Sequence, residues 1–257
     1  MSDRDLPERL RDLGLRRTAD ELSDLVARAT KDRLGLTQIL ELIADIEEDD
    51  RARRSLERRL QRSKLGRVKP IKDFDWAWPK RIDRDRVEAA LRLEFLEEAR
   101  NVVLVAPQGL GKTMIAQNIA HEAILAGHSV LFVTAAQLLL DLAAQDSARA
   151  LDRRFRHYAK QSLLVIDEVG YLAFDNRNAD LLFQVVARRY ERKSLVLTTN
   201  LAFRDWPTIF PNATCATALI DRVIHHADVI AIEGTSYRLR QAEDRAKAPP
   251  PPKPKKR

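Results

Sequence analysis

The chain has 257 residues, with 45 Lys and Arg against 38 Asp and Glu and a formal net charge of +7. This length allows one large core, or a larger domain plus a smaller module, and the positive charge favours an anionic partner. The single cysteine, Cys215, excludes an internal disulfide, and no apolar run is long enough to cross a bilayer. The N-terminus has no signal-peptide pattern, so we expect a cytoplasmic protein that does not enter a membrane.

Residues 1–72 predict a small helical domain, because they contain little β-branched sequence and their apolar residues recur at helical spacing. Thr18 and Thr37 stand just before two of these apolar runs, and we expect them to cap the N-termini of two helices. The apolar residues that set the spacing are Leu10, Leu13, Leu22, Leu25, Val26, Ile39, Leu40, Ile43 and Ile46.

A basic segment, residues 51–72, follows an acidic stretch and contains Glu57 as its sole acid. A solvated helix face is the plain alternative, but such faces usually interleave opposite charges, whereas stacked like charges repel unless an anion lies beside them. The segment has no aromatic residue for base stacking, so we expect it to contact the phosphates of duplex DNA without strong sequence preference. The candidate DNA-binding residues are Arg51, Arg54, Arg58, Arg59, Arg62, Lys64 and Arg67.

Residues 73–100 predict a linker and the first helix of a second domain. The stretch from Phe74 to Pro79 breaks the helical pattern with three aromatic residues, which could dock on the core or flank a base; we expect docking. A helix should follow from Arg84 to Ala99. Strands and helices then alternate, as is typical of α/β domains.

A glycine-bearing loop, Ala106 to Thr113, joins an apolar strand at 102–105 to a helix that starts near Met114. This order predicts a phosphate-binding loop, in which backbone N–H groups face phosphate oxygens, Lys112 reaches the β and γ phosphates, and Thr113 places its hydroxyl on magnesium. Ala106 replaces the first glycine of the usual pattern, which is tolerable at negative φ. The candidate nucleotide-binding residues are Ala106, Pro107, Gln108, Gly109, Leu110, Gly111, Lys112, Thr113 and Met114.

Two carboxylates, Asp167 and Glu168, directly follow the apolar strand 163–166. A carboxylate at the end of a buried strand needs a cation or hydrogen-bond donors. We expect Asp167 to hold magnesium and Glu168 to polarise the water that attacks the γ-phosphate. A helix N-cap with acidic neighbours is the alternative.

Further site candidates follow a predicted helix at 180–192 and a strand at 194–198. Asn200 sits where a polar group can meet the attacking water. Arg222 lies near the end of a helix predicted at 213–224, and Arg238 follows a strand predicted at 229–232. Both are candidate γ-phosphate arginines, with surface ion pairing as the alternative. The five histidines show no metal-ligand spacing, so we expect no metal beyond nucleotide-bound magnesium. The Pro- and Lys-rich tail, 246–257, is predicted to be disordered.

Together these motifs resemble the IstB-like transposition helper ATPases, an AAA+ family close to the DnaC helicase loaders. The resemblance covers nearly all of residues 10–240. It implies an α/β AAA+ P-loop NTPase domain at 101–245, built on a five-stranded parallel sheet flanked by helices, with ATP and Mg²⁺ as cofactors. By this resemblance Asn200 matches sensor 1, Arg222 the arginine finger offered to a neighbouring subunit, and Arg238 sensor 2. Its carriers are the phosphate loop, residues 163–171 and 189–191, Thr199, Asn200, residues 203–206, Asp221, Arg222, His226, Gly234 and residues 236–238.

The sequence departs from the family pattern at Ala106 and at Met114, where relatives often carry histidine. The family implies an ATP-dependent regulator that assembles as a homo-oligomer on duplex DNA and works with the transposase of the same insertion element in target capture and insertion. A helicase loader of the DnaC type is the nearest alternative. A P-loop kinase for a small molecule, and a DNA-binding module that uses ATP only to assemble, are alternatives of other classes.

Overall fold

The computed structural model describes residues 5–171, 173–211 and 213–240. The chain divides into two compact units, Met1–Arg58 and Arg59–Arg257. This division lies inside the segment 1–72 that the sequence predicts as one helical domain. The predicted disordered tail, 246–257, lies outside the described residues.

The N-terminal unit contains three short helices and most of a long fourth one. They are α1 (Leu6–Asp12), α2 (Arg16–Asp20), α3 (Leu22–Lys31) and α4 (Leu36–Ser63). The capping prediction was wrong, because Thr18 lies inside α2 and Thr37 is the second residue of α4. The buried backbone N–H of Thr18 instead donates to the carboxylate of Glu47 at 2.8 Å, a tertiary bond that spacing along the chain does not reveal.

The second unit alternates strands and helices. After β1 (Arg81–Ile82), α5 (Arg84–Leu91) and α6 (Glu94–Glu97) come β2 (Asn101–Val105), α7 (Lys112–Leu125), β3 (Val130–Thr134), α8 (Ala135–Ala143), α9 (Ala148–Ala159), β4 (Leu163–Val169), α10 (Asn176–Arg189), β5 (Ser194–Thr199), α11 (Ala213–Ile224) and β6 (Ala227–Glu233). The helix predicted from Arg84 to Ala99 is in fact two, interrupted where Leu93 adopts a left-handed φ of 68°. Helix α10 starts before its predicted position because Asp175 caps its N-terminus by accepting from Asn178 N–H.

The strands form one sheet in the order β1-β6-β2-β5-β4-β3. Strands β6, β2, β5, β4 and β3 are parallel, which confirms the predicted five-stranded core, and β1 adds an antiparallel edge. Alternate strand residues, including Val103, Ile166 and Leu197, pack with α8, α10 and α11 in one buried cluster. Helix α7 buries Ile115 and Ile119 and packs against the strands outside that cluster. Strands covered on both faces read as continuous apolar runs.

A buried arginine links several backbone segments near the amino ends of β4 and β5. Arg189 is fully buried, and its guanidinium donates to five backbone carbonyls at the end of α9, in the turn before β4 and at the start of β5. Burial lowers the pKa of Arg189 from its ordinary value. The acceptors are the carbonyls of Tyr158, Ala159, Gln161, Ser162 and Ser194.

Candidate functional site

A cavity of about 600 Å³ lies where the carboxyl ends of β2, β4 and β5 meet. Ligands of α/β sheets commonly bind at this edge, and the volume lies in the usual range of small-molecule sites. The predicted site residues that line it are Gln108, Gly109, Leu110, Gly111, Lys112, Thr113, Met114, Glu168, Asn200 and Arg238. Four separate segments of the chain therefore converge on one cavity.

The loop between β2 and α7 has the backbone that its glycines permit. Gly109 and Gly111 have φ of 79° and 84°, which residues with a Cβ rarely adopt. A Cβ on Gly111 would also lie 2.5 Å from the Phe74 ring. Ala106, in contrast, keeps a negative φ and donates its N–H to the Thr199 carbonyl at 3.1 Å, so the first position accommodates alanine as predicted.

Positive charge converges on this loop. The Lys112 ammonium donates to the carbonyls of Ala106 at 2.6 Å and Pro107 at 2.9 Å. Burial lowers the pKa of Lys112, the negative charge of Asp167 opposes that shift, and the nearby Arg238 guanidinium adds to it. Helix α7 also begins at Lys112, so its first N–H groups lack helical acceptors. Two cations and a helix N-terminus facing one cavity suit a multiply charged anion.

The carboxylate of Asp167 is held between two hydroxyl groups. Thr113 Oγ1 donates to it at 3.0 Å from α7, and Thr198 Oγ1 donates at 2.5 Å from β5. Asp167 is 4% exposed, and a carboxylate with two fixed oxygens beside the phosphate loop has the hard-oxygen chemistry that Mg²⁺ prefers. The residues therefore fit the ion that accompanies a nucleotide, with Thr113 and Asp167 as its candidate ligands.

Glu168 projects from a bulge in β4. Ile166 pairs with Leu197 and Val169 with Thr199, so Asp167 and Glu168 together face the single residue Thr198. Glu168 has a left-handed φ of 62°, a conformation that costs about 1–3 kcal/mol in a residue other than glycine. Its N–H donates to Thr198 Oγ1 at 2.9 Å, and its side chain is exposed and lines the cavity. Bulges of this kind re-aim a side chain beside a site.

The linker aromatics also reach the cavity, which the docking expectation did not include. Phe74 is buried and Trp78 half-buried, and both line the wall. The Trp78 indole N–H donates to the Thr235 carbonyl at 2.9 Å, and Tyr237 N–H donates to the Gly109 carbonyl at 3.0 Å. The segment that carries Arg238 is thus tied both to the linker and to the phosphate loop.

Arg222 does not line this cavity. It is half-buried, donates to the Ala218 carbonyl at 3.2 Å, and places its guanidinium carbon 4.5 Å from the centre of the Phe183 ring. Arg222 therefore lies on the α10–α11 surface, apart from the other site candidates of the same chain.

The residues of the basic segment differ in their exposure and in their contacts within the chain. Arg54 pairs with the buried Asp50 at 2.7 Å, and Arg59 donates to the Ile124 carbonyl at 3.1 Å, where it caps α7. Both are half-buried. The five remaining candidates for DNA contact are exposed: Arg51, Arg58, Arg62, Lys64 and Arg67.

One group of potential metal ligands comes together that sequence spacing did not indicate. Glu191, His225 and His226 place one ligand atom each within 4.8 Å of one another, and all three are exposed. His225 Nδ1 also lies 2.7 Å from the Tyr190 hydroxyl. Exposed side chains of these types are often close together without a metal, so the geometry of this group does not by itself indicate a metal site.

The phosphate loop, the acidic pair after β4 and the β6-β2-β5-β4-β3 order define an AAA+ P-loop NTPase domain. Among solved structures, a DnaI crystal structure matches with a TM-score of 0.51 at 20% identity, covering 65% of this chain and 92% of that one. A DnaA initiator bound to AMPPCP and single-stranded DNA matches with a TM-score of 0.52 at 16% identity, covering 68% and 56%. These likenesses concern the fold.

The chain belongs to the IstB-like ATP-binding protein family, whose model matches residues 8–245. It is 34% identical over 223 residues to a Geobacillus stearothermophilus protein named for ATP binding in insertion sequence IS5376, covering 87% of this chain and 89% of the relative. It is 35% identical over 220 residues to the corresponding IS21 protein of Pseudomonas aeruginosa, covering 86% and 83%. In the described part of the chain, no helix is long and apolar enough to span a membrane.

Proposed function

We propose that this protein is an ATP-hydrolysing transposition helper that assembles with further copies of itself on duplex DNA and regulates the transposase of the same insertion element. The observation that carries the proposal is the convergence of Lys112, Glu168, Asn200 and Arg238 on one cavity beside the Asp167 carboxylate. A loop that only held a nucleotide would not need a positioned acid beside a polar amide.

Each group has a role in hydrolysis. The α7 N-terminus and Lys112 would bind the phosphates, and Thr113 and Asp167 would hold Mg²⁺, which when bound would supply positive charge to the phosphate oxygens. Glu168 orients the attacking water, with Asn200 as its second polar contact. Arg238 faces the γ-phosphate from within the chain. Phe74 and Trp78, which line the same cavity, would contact the adenine, because aromatic faces suit a planar base.

Arg222 completes the site of a neighbouring subunit in this proposal. Its place on the α10–α11 surface supports a role in trans, because it lies outside the cavity of its own chain. An arginine finger raises the rate of GTPases by about 10³–10⁵-fold. Hydrolysis should therefore depend on assembly, and isolated protomers should turn over slowly.

The duplex contact is assigned to the exposed cations of the basic segment. The partner is assigned from the relatives, which are named for insertion sequences. Duplex DNA would then serve as the scaffold on which ATP-bound copies assemble before the transposase engages.

The test measures the ATPase rate with and without duplex DNA, beside the sedimenting species formed with a non-hydrolysable ATP analogue. We expect DNA to raise the rate and the analogue to produce a species larger than one chain. Hydrolysis by a monomer that ignores DNA would contradict the proposal. ADP release that follows an added small-molecule acceptor would favour a kinase, and capture of a replicative helicase instead of the transposase would favour a helicase loader.

A further inference from the structure

We propose that Thr198 is a positioning residue that sets both carboxylates of the hydrolytic site through one hydroxyl group. The inference deepens the proposed function and depends on it, because it concerns hydrolysis at the same cavity. From the sequence alone, Thr198 is predicted only to end a strand.

The hydroxyl of Thr198 makes two contacts with opposite roles. It donates to Asp167 Oδ1 at 2.5 Å and accepts the backbone N–H of Glu168 at 2.9 Å. A hydroxyl has one donor and two acceptor positions, so a single group satisfies both neighbours. Thr198 is fully buried, which prevents water from replacing either bond without a rearrangement.

The position of Thr198 in the sheet explains why a side chain is needed there. In a regular ladder, backbone groups satisfy one another, but the bulge sets Asp167 and Glu168 against Thr198 alone. The extra residue loses its ladder partner, and the Thr198 hydroxyl takes the place of that partner. This bond holds Glu168 at its left-handed φ of 62° and so turns its side chain into the cavity.

The same hydroxyl also orients the proposed magnesium ligand. The Asp167 carboxylate accepts a hydrogen bond from the Thr113 hydroxyl on the phosphate-loop side and another from the Thr198 hydroxyl on the sheet side. Loss of the Thr198 contact would leave the carboxylate free to rotate about the remaining Thr113 contact. Groups that orient metal ligands are typically worth about 10–100-fold in metal affinity or activity.

The neighbouring Thr199 supplies a matched control. It is also fully buried, but its hydroxyl accepts Leu201 N–H at 3.1 Å within the following turn and makes no hydrogen bond to either acid. Thr198→Val and Thr199→Val therefore make the same exchange of a hydroxyl for a methyl group at adjacent buried sites. Only the first removes a contact with the acidic pair.

The experiment measures kcat and KM for ATP, and the Mg²⁺ concentration at half-maximal rate, in the full chain with duplex DNA. For Thr198→Val we expect kcat to fall by about 10–100-fold and the half-maximal Mg²⁺ concentration to rise, while affinity for a fluorescent ATP analogue without Mg²⁺ changes by less than about threefold. Thr198→Ser retains the hydroxyl and should keep kcat within about threefold of wild type. Thr199→Val should keep the Mg²⁺ dependence of wild type, because the Thr199 hydroxyl does not contact Asp167.

Equal kcat in Thr198→Val and wild type would overturn the inference. Equal losses of kcat in the valine and serine variants would also overturn it, because they would show that side-chain packing, and not the hydroxyl, is responsible. Should Thr198→Val fail to fold, Thr198→Cys replaces it, since a thiol is a weak donor in a side chain close in size to serine. A cysteine variant as active as the serine variant would also contradict the role. If wild type itself does not hydrolyse ATP, the proposed function fails first, and the two failures are thereby distinguished.

Discussion

Removal of three exposed cations from the basic segment should flatten the salt dependence of DNA binding. The proposed contacts are Arg51, Arg58, Arg62, Lys64 and Arg67, all exposed. If all five meet phosphates, log K against log salt has a slope of about −4.5 per bound chain, at about −0.9 for each contact. A rise from 50 to 200 mM salt would then weaken binding by about 500-fold.

The triple variant Arg58→Gln, Arg62→Gln and Arg67→Gln retains two of the five contacts. Its slope should be about −1.8, and the same rise in salt should weaken binding by only about 12-fold. Fluorescence anisotropy with a labelled duplex across a salt series measures the slope, with stoichiometry fixed by sedimentation. The assay is run with a non-hydrolysable ATP analogue, so that hydrolysis does not alter the bound species.

Two single variants serve as controls. Arg54→Gln removes the same charge from the same segment, but Arg54 is already paired with the buried Asp50, so its slope should stay near the wild-type value. Arg204→Gln removes a cation with an 87% exposed side chain outside the segment and reports the effect of net charge alone. An unchanged slope in the triple variant would refute the phosphate contacts and return the segment to a solvated helix face. A slope lost equally in the Arg54 variant would refute the distinction drawn from its ion pair.

Four further substitutions test the site and the fold. Lys112→Ala should raise the Kd for Mg-ATP by at least about 100-fold in calorimetry, because it removes a charge-assisted phosphate contact, and an unchanged Kd would contradict the phosphate-loop assignment. Glu168→Gln should retain ATP binding but lower phosphate release by about 10²–10³-fold, and turnover equal to wild type would remove Glu168 from the mechanism. Arg222→Ala should bind ATP without hydrolysing it, and mixing it with the Lys112→Ala chain should restore turnover; failure of that rescue would argue against action in trans. Arg189→Met should lower the free energy of unfolding by about 3–5 kcal/mol in denaturant titration, since buried carbonyls lose their donor, and a loss below about 1 kcal/mol would show that water replaces the guanidinium.

Local motifs account for most of the site that the sequence predicted. The strand, loop and helix around Lys112 are consecutive, so their geometry follows from the residues themselves. The same holds for the acidic pair after β4. Parallel strands then bring their carboxyl ends together, which is why Asn200 and Glu168 line one cavity.

The parts that were missed depend on pairing across the sheet or between distant segments. The role of Thr198 arises from a one-residue offset in the pairing of β4 with β5. The register of two strands cannot be predicted from the sequence of either strand alone. The bond from Arg59 to Ile124 joins residues 65 positions apart. Helix α9 is a different case, because Leu151, Phe155 and Tyr158 recur at the spacing from which a helix can be predicted.

The alanine that replaces the first loop glycine affects the unfolded chain as well as the folded one. Ala106 is 2% exposed and keeps a backbone conformation that any residue adopts, so its methyl group causes no backbone strain in the folded loop. An unfolded chain with alanine at this point samples fewer backbone states than one with glycine, a difference worth about 0.4–1 kcal/mol in favour of folding. The loop residue whose carbonyl accepts the Lys112 ammonium therefore has fewer backbone states open to it than the glycines that follow. When a nucleotide binds, we therefore expect the loop backbone to change mainly at Gly109 and Gly111 and little at Ala106.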